Sequence, residues 1–209
     1  MGQKVNPVSM RLQVNKDWRS KWFVGKNQYA KYLENDLKVR KLIQDKFGSR
    51  GAINKVDIER SPNLVTVTIA TAKAGVVIGR GGQGAQEVKA AIEKVYGVPV
   101  RVNIEEVKKP DLYAKLVAEN IAHQIERRMS FRRAIKSASA ATMRAGAKGI
   151  RIEVAGRLNG AEMSRREKEV AGSVPLHTIR ANVDYAGARA NFPGAGIVGI
   201  KVWIYKGEN

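Results

Sequence analysis

The chain has 209 residues and is 44% hydrophobic, enough apolar material to bury a core in one or two domains, which excludes a wholly disordered protein. Thirty-eight Lys and Arg against 19 Asp and Glu leave a formal charge of +19, a field that repels itself unless a polyanion neutralises it, so nucleic acid is the expected partner. No Cys occurs, which excludes disulfide frameworks, Cys-based zinc sites and thiol catalysis, and no apolar run reaches the roughly 18 residues of a membrane span.

The opening Met1-Gly2-Gln3-Lys4-Val5-Asn6-Pro7 lacks the apolar region of a signal peptide, so the expectation is a soluble cytoplasmic protein without a membrane partner. The basic excess is spread along the chain: 12 cations against 4 anions in residues 1 to 50, 9 against 6 in 51 to 110, 10 against 4 in 111 to 160, and 7 against 5 beyond. A polyanion would therefore meet several surfaces rather than one tail.

Through about Trp18 the residues show no sustained period, and Lys4, Pro7 and Arg11 suit either an extended basic arm that orders on RNA or a frayed terminus. From Gln28 to Phe47 apolar residues at helical spacings, Tyr29, Leu33, Leu37 and Ile43 among them, predict one long helix closed by Gly48 and Gly51. Val56 and Ile58, the turn Ser61-Pro62-Asn63, and Leu64 to Ile69 predict a hairpin of two strands. A short helix, a glycine cluster, a helix from Ala85 to Tyr96 and a strand from Val100 to Ile104 complete a first domain, residues 1–107.

Lys108-Lys109-Pro110 breaks the pattern, and Asp111 is placed to cap a helix running to about Met129. A second helix, Phe131 to about Ala145, is followed by strands expected at Ile150 to Val154, around Val170 to Leu176, Ile179 to Tyr185, and Ile197 to Tyr205. Helices first and strands afterwards predict a two-layer α+β domain, residues 108–209, with a mostly antiparallel sheet.

Gly79-Arg80-Gly81-Gly82-Gln83-Gly84 satisfies two patterns, G-x-x-G at 79 and 82 and the dinucleotide fingerprint at Gly79, Gly81 and Gly84, with Glu105 and Glu106 at about the distance of a ribose-binding carboxylate. The fingerprint would make the chain an NAD-dependent oxidoreductase. It needs a buried strand directly before the first glycine, whereas Ala72-Lys73-Ala74-Gly75 separates Val76-Val77-Ile78 from the preceding strand. The G-x-x-G reading fits better: a turn almost without side chains lets a nucleic-acid backbone approach the main chain, the following helix offers free N–H groups to phosphate, and Arg80 adds a charge.

Gly-Val-Val-Ile-Gly-Arg-Gly-Gly between a Val/Thr strand and a helix resembles a KH domain, and the element order resembles its type II arrangement. Gly2-Gln3-Lys4-Val5-Asn6-Pro7, Gly156-Arg157-Leu158-Asn159-Gly160-Ala161-Glu162, Val174-Pro175-Leu176-His177-Thr178-Ile179-Arg180-Ala181, Asp184-Tyr185 and Gly199-Ile200-Lys201-Val202-Trp203-Ile204-Tyr205 are similar to the bacterial family of small-subunit ribosomal protein three. The chain departs from it at Ser9, where the family commonly has Gly, and at Gly81, where a second basic residue is frequent. The resemblance implies a non-enzymatic constituent of the small ribosomal subunit, without a cofactor, that binds small-subunit rRNA and shapes the mRNA entry. It implies as neighbours small-subunit proteins ten and fourteen, with four and five near the entry.

On the helix from Phe131, at about 100° per residue, Arg132, Arg133, Lys136 and Arg144 fall on one face, and Phe131, Ile135, Ala138 and Ala145 fall opposite, interrupted by Thr142. The basic face is either a solvated surface or an RNA contact, and the resemblance implies that Arg132, Arg133 and Lys136 line the mRNA entry. The candidate RNA-binding residues are therefore Gly79, Arg80, Gly81, Gly82, Arg132, Arg133, Lys136, Arg144, Lys4 and Arg11. His123 and His177 occur without a catalytic or metal-binding motif, and Trp203 and Tyr205 share strand parity as packing residues.

Overall fold

The computed structural model describes residues 4–194 and 196–208, so Gly2 and Gln3 of the opening motif lie outside the described residues. In chain order the elements are α1 (Pro7–Met10), β1 (Ser20–Lys21), α2 (Lys26–Phe47), β2 (Ile53–Arg60), β3 (Val65–Thr71), α3 (Ala74–Ile78), α4 (Gln83–Tyr96), β4 (Val100–Glu106), α5 (Ala114–Glu126), α6 (Phe131–Arg144), β5 (Gly149–Gly156), β6 (Arg165–Gly172), β7 (Ala181–Phe192) and β8 (Gly196–Glu208). They form two compact units, one from Trp18 to Lys108 and one that joins the residues before Trp18 to those from Lys109 onward.

In the first unit the order α2-β2-β3-α3-α4-β4 is the expected type II order. The sheet runs β1-β2-β3-β4, with the β2–β3 hairpin antiparallel and both outer strands parallel to their neighbours. Residues 36, 39, 43 and 47 give α2 its buried stripe, and Val39 and Ile43 meet Val88 and Ile92 of α4 and Ile58, Val67 and Ile69 of the sheet. Tyr29, Leu33 and Leu37 share the helical spacing but form an exposed stripe, because the sheet meets the side of α2 that carries Val39 and Ile43. One buried carboxylate ties the unit together: Asp36 accepts hydrogen bonds from Trp22 Nε1 (2.9 Å), Tyr96 Oη (3.0 Å) and the Arg60 guanidinium.

In the second unit the sheet order is β6-β5-β8-β7, antiparallel throughout, as the two-layer reading requires. Helices α5 and α6 cover one face, where Ile121, Ile125, Phe131 and Ile135 pack on Ile150, Ile152, Val202 and Ile204. The opposite face carries a smaller cluster of Val183, Trp203 and Tyr205, so the two aromatics are packing residues.

Three expectations need correction. Asp111 does not cap α5: a 3-10 turn spans Pro110–Leu112, the helix begins at Ala114, and the Ala114 N–H donates to Asp184 Oδ2 at 3.0 Å. The strand expected around Val170 to Leu176 ends at Gly172, beyond which Pro175 and its neighbours leave the sheet. The opening segment neither extends as an arm nor belongs with residues 18 to 107. Asn6 caps α1 through its Oδ1, which accepts from the Val8 N–H at 2.9 Å, and Arg11 is fully buried against the second unit. The Arg11 guanidinium donates to the carbonyls of Pro7, Pro175, Leu176, Thr178 and Ala181, and Asn15 Nδ2 donates to those of Ile179 and Arg180. Burying a guanidinium is costly unless its donors are satisfied, and these carbonyls supply the acceptors that let Arg11 sit in the interior.

Candidate nucleic-acid interface

The glycine turn joins two helices whose backbones nearly touch. Gly79, Gly81 and Gly82 have φ of 72°, 60° and 81°, the left-handed region that disfavours side chains. At Gly84 an added Cβ would lie 2.7 Å from the Val77 carbonyl oxygen and 3.0 Å from that of Ile78, so only hydrogen lets α4 start this close to α3. No side chain caps α4, and the N–H of its first residue, Gln83, donates to the Arg80 carbonyl, so Arg80 and Gly81 are the exposed part of the turn.

The dinucleotide alternative fails on the same geometry, although it comes near. Strands β3 and β4 are parallel neighbours joined through helices, as a nucleotide-binding crossover would be. Helix α3 nevertheless separates Thr71 at the end of β3 from Gly79, so the turn is carried away from the strand end where a pyrophosphate would sit.

Helix α6 presents the second surface. Phe131, Ala134, Ile135, Ala138, Ser139 and Thr142 are buried, and the Thr142 hydroxyl donates to the Ala138 carbonyl at 3.0 Å, so the one polar interruption is satisfied within the helix. Ala145 is only half-buried. Arg132, Arg133, Lys136 and Arg144 are all exposed, Arg144 lying at the far end of the helix with its Nε on the Ala140 carbonyl. Among the described residues Arg133 and Lys136 form no ion pair.

Arg132 differs from them in a way the helix period could not reveal. It lies 3.4 Å from Glu167 of β6, which Arg165 also engages at 2.9 Å. The Arg165 hydrogen bond, then that of Arg132, outweighs slight desolvation and holds the Glu167 carboxyl below the usual carboxylate range. No local signal marks this pair, since 35 residues separate its members and only the packing of α6 against β6 brings them together.

Of the two N-terminal candidates, Arg11 is interior and has its donors committed to carbonyls, so it offers nothing to phosphate. Lys4 is more than half exposed, 3.6 Å from Glu153 and over the Trp203 ring. The glycine turn lies in one unit and α6 and Lys4 in the other. No group of three or more His, Cys, Asp or Glu among the described residues is placed to hold a metal, and among them no helix is long and apolar enough to cross a membrane.

A model of the KH domain matches residues 38–112, and a model described as ribosomal protein S3, C-terminal domain, matches residues 121–204. The chain is 50% identical over 208 residues to the small ribosomal subunit protein uS3 of Shouchella clausii (strain KSM-K16), covering all of this chain and 94% of that protein. It is 48% identical over 209 residues to that of Dichelobacter nodosus (strain VCS1703A), covering 87% of it. It is 50% identical over 208 residues to that of Xanthomonas oryzae pv. oryzae (strain MAFF 311018), covering 84% of it.

Proposed function

We propose a function from one premise: the chain belongs to the family of small ribosomal subunit protein uS3. It is accordingly a structural, non-enzymatic component of the small ribosomal subunit, an RNA-binding protein of translation whose place in bacteria is the cytoplasm. The finer reading is that the glycine turn grips an RNA backbone while Arg132, Arg133 and Lys136 line the path of incoming mRNA. In that reading the second unit faces the entry beside small-subunit proteins four and five, and proteins ten and fourteen are neighbours elsewhere.

The observation that carries this reading is the construction of α6. Its apolar face is locked into a core, so its cations are held outward on a rigid frame. Fixed positive charges favour an opened, phosphate-bearing strand over a folded one that must be captured as it breathes, without nucleotide hydrolysis by this chain.

The test replaces Arg132, Arg133 and Lys136 with Ala, which leaves Phe131 and Ile135 in place and slightly favours helix. Small subunits carrying the variant should assemble normally and translate unstructured message at ordinary speed, but slow on a message with a stable hairpin ahead of the entry. Equal effects on both messages, or none on either, would remove these residues from the entry.

A further inference from the structure

The face of the second sheet turned away from α5 and α6 has two halves. In one, Tyr185, Trp203 and Tyr205 pack together, and Lys4 and Arg11 of the opening segment lie over that side of the sheet. The other half is two rows of side chains fixed by register: Lys168, Glu153, Lys201 and Gly187 in one, Arg166, Ala155, Gly199 and Arg189 in the next. Arg166, Lys168, Arg189 and Lys201 are exposed, and among the described residues none of them forms an ion pair.

Glu153 is the one acid in these rows, and it is buried and already committed. Arg151 hydrogen-bonds it, and Lys4 stands 3.6 Å away. Burial opposes its charge, but the hydrogen bond and charge of Arg151, with the charges of Lys4 and Arg166, hold its pKa below the usual value. Ala155 and Gly199 floor the middle of the second row between Arg166 and Arg189, while in the first row Lys201 stands on β8 between Glu153 and Gly187, so the cations border a shallow trough floored by Ala155 and Gly199.

We propose that this trough is a docking surface for the phosphate backbone of double-helical RNA, separate from the glycine turn and from α6. Three strand spacings separate Arg166 on β6 from Arg189 on β7, which puts these two cations about 14 Å apart at their backbones, and two spacings, about 10 Å, separate Lys168 from Lys201 on β8. A trough of that breadth rimmed on both sides by cations matches the wide, shallow minor groove of A-form RNA, which is bordered by two phosphate strands. The two rows contain no aromatic side chain, so they lack the stacking platforms by which single strands are held and favour a duplex read through its backbone. The inference rests on the RNA-binding reading above and extends it to a surface with its own substrate class.

The test titrates the full chain with a blunt RNA duplex of about 16 base pairs and with an unstructured single strand, across a range of salt. In the variant Arg166→Gln/Lys168→Gln/Arg189→Gln/Lys201→Gln the slope of log affinity against log salt for the duplex should fall by about 0.9 per lost contact, three to four in all. A control that removes equal charge from the other unit, Lys41→Gln/Lys94→Gln/Arg101→Gln/Lys108→Gln, should retain most of that slope. Gly187→Glu provides a second probe with little risk to folding, since an added Cβ there meets only the Ile200 carbonyl oxygen at 3.7 Å. It should weaken duplex binding at least tenfold while leaving single-strand binding unchanged.

An unchanged slope in the sheet variant, or an equal loss in the control, overturns the surface and leaves the trough to an acidic protein partner or to solvent. The wild-type chain binding neither RNA would overturn the RNA-binding reading itself, and the surface with it.

Discussion

The glycine turn and the α6 face, the two proposed RNA contacts, present positive charge by different means. The turn contributes one exposed arginine and a left-handed backbone almost without side chains, so its value lies in close approach. Helix α6 likewise starts without a side-chain cap, at Ser130, but its exposed face contributes side-chain cations, one of them already shared with a carboxylate. A surface made of backbone should therefore be sensitive to shape and a surface made of side chains to charge. The trough on the second sheet combines the two, with Arg166 and Arg189 on its rim and Ala155 and Gly199 on the floor between them.

Three experiments bear on that contrast. The largest effect is expected at Gly84, which is two positions beyond the G-x-x-G and touches no ligand in this reading. Gly84→Val forces a side chain against the carbonyls of Val77 and Ile78, and should cost the first unit about 2 kcal/mol of stability in denaturant unfolding. It should also weaken single-strand RNA binding by displacing the start of α4. A variant with full stability would mean that the two helices separate easily and that the turn is not sensitive to shape.

Next is Arg80→Asp/Gly81→Asp, which puts two anions where phosphate would approach. Single-strand affinity should fall at least tenfold, measured by fluorescence anisotropy on chain shown by circular dichroism to be folded. The left-handed φ at Gly81 makes the second substitution cost about 1 kcal/mol by itself. Undiminished affinity in folded protein would leave α6 as the sole single-strand surface.

The smallest effect sharpens the charge side of the contrast. Glu167→Gln frees Arg132 from its exposed pair, so single-strand affinity at pH 7 should rise about two- to threefold, the modest size expected of a surface ion pair. Because the Glu167 pKa lies below the ordinary glutamate value of 4.5, its charge persists through neutral and mildly acid pH. The advantage of the variant should hold down to that range and vanish only below it, where wild-type Glu167 also loses its charge. An advantage that disappears near pH 6 would point to another group as the partner of Arg132.

What sequence alone determined was everything carried by local period and local punctuation. The long helix to Phe47, the hairpin around Ser61-Pro62-Asn63, the helix stopping at Gly97 and the two-sided α6 all follow from spacings of two or 3.6 residues, bounded by residues that tolerate or prevent particular φ. The G-x-x-G turn was legible for the same reason: four glycines within six residues have few other physical uses.

What only the tertiary structure decided lay in contacts between distant segments. Arg11 has the composition of an RNA-binding arm residue, yet carbonyls about 170 positions away make it a buried strut, and with it the opening segment changes unit. Tyr29, Leu33 and Leu37 satisfy a helical period but lie on the stripe that the sheet does not cover. Asp111 stands where a cap belongs, but the partner of the first helical N–H is Asp184, delivered by β7. The cations of the trough are scattered over 36 residues, and Lys168 of β6 and Lys201 of β8 come into one row only through β5, which pairs with both strands. Hydrogen-bond register and burial depend on which segments meet, and a period read along one segment carries no information about its partner.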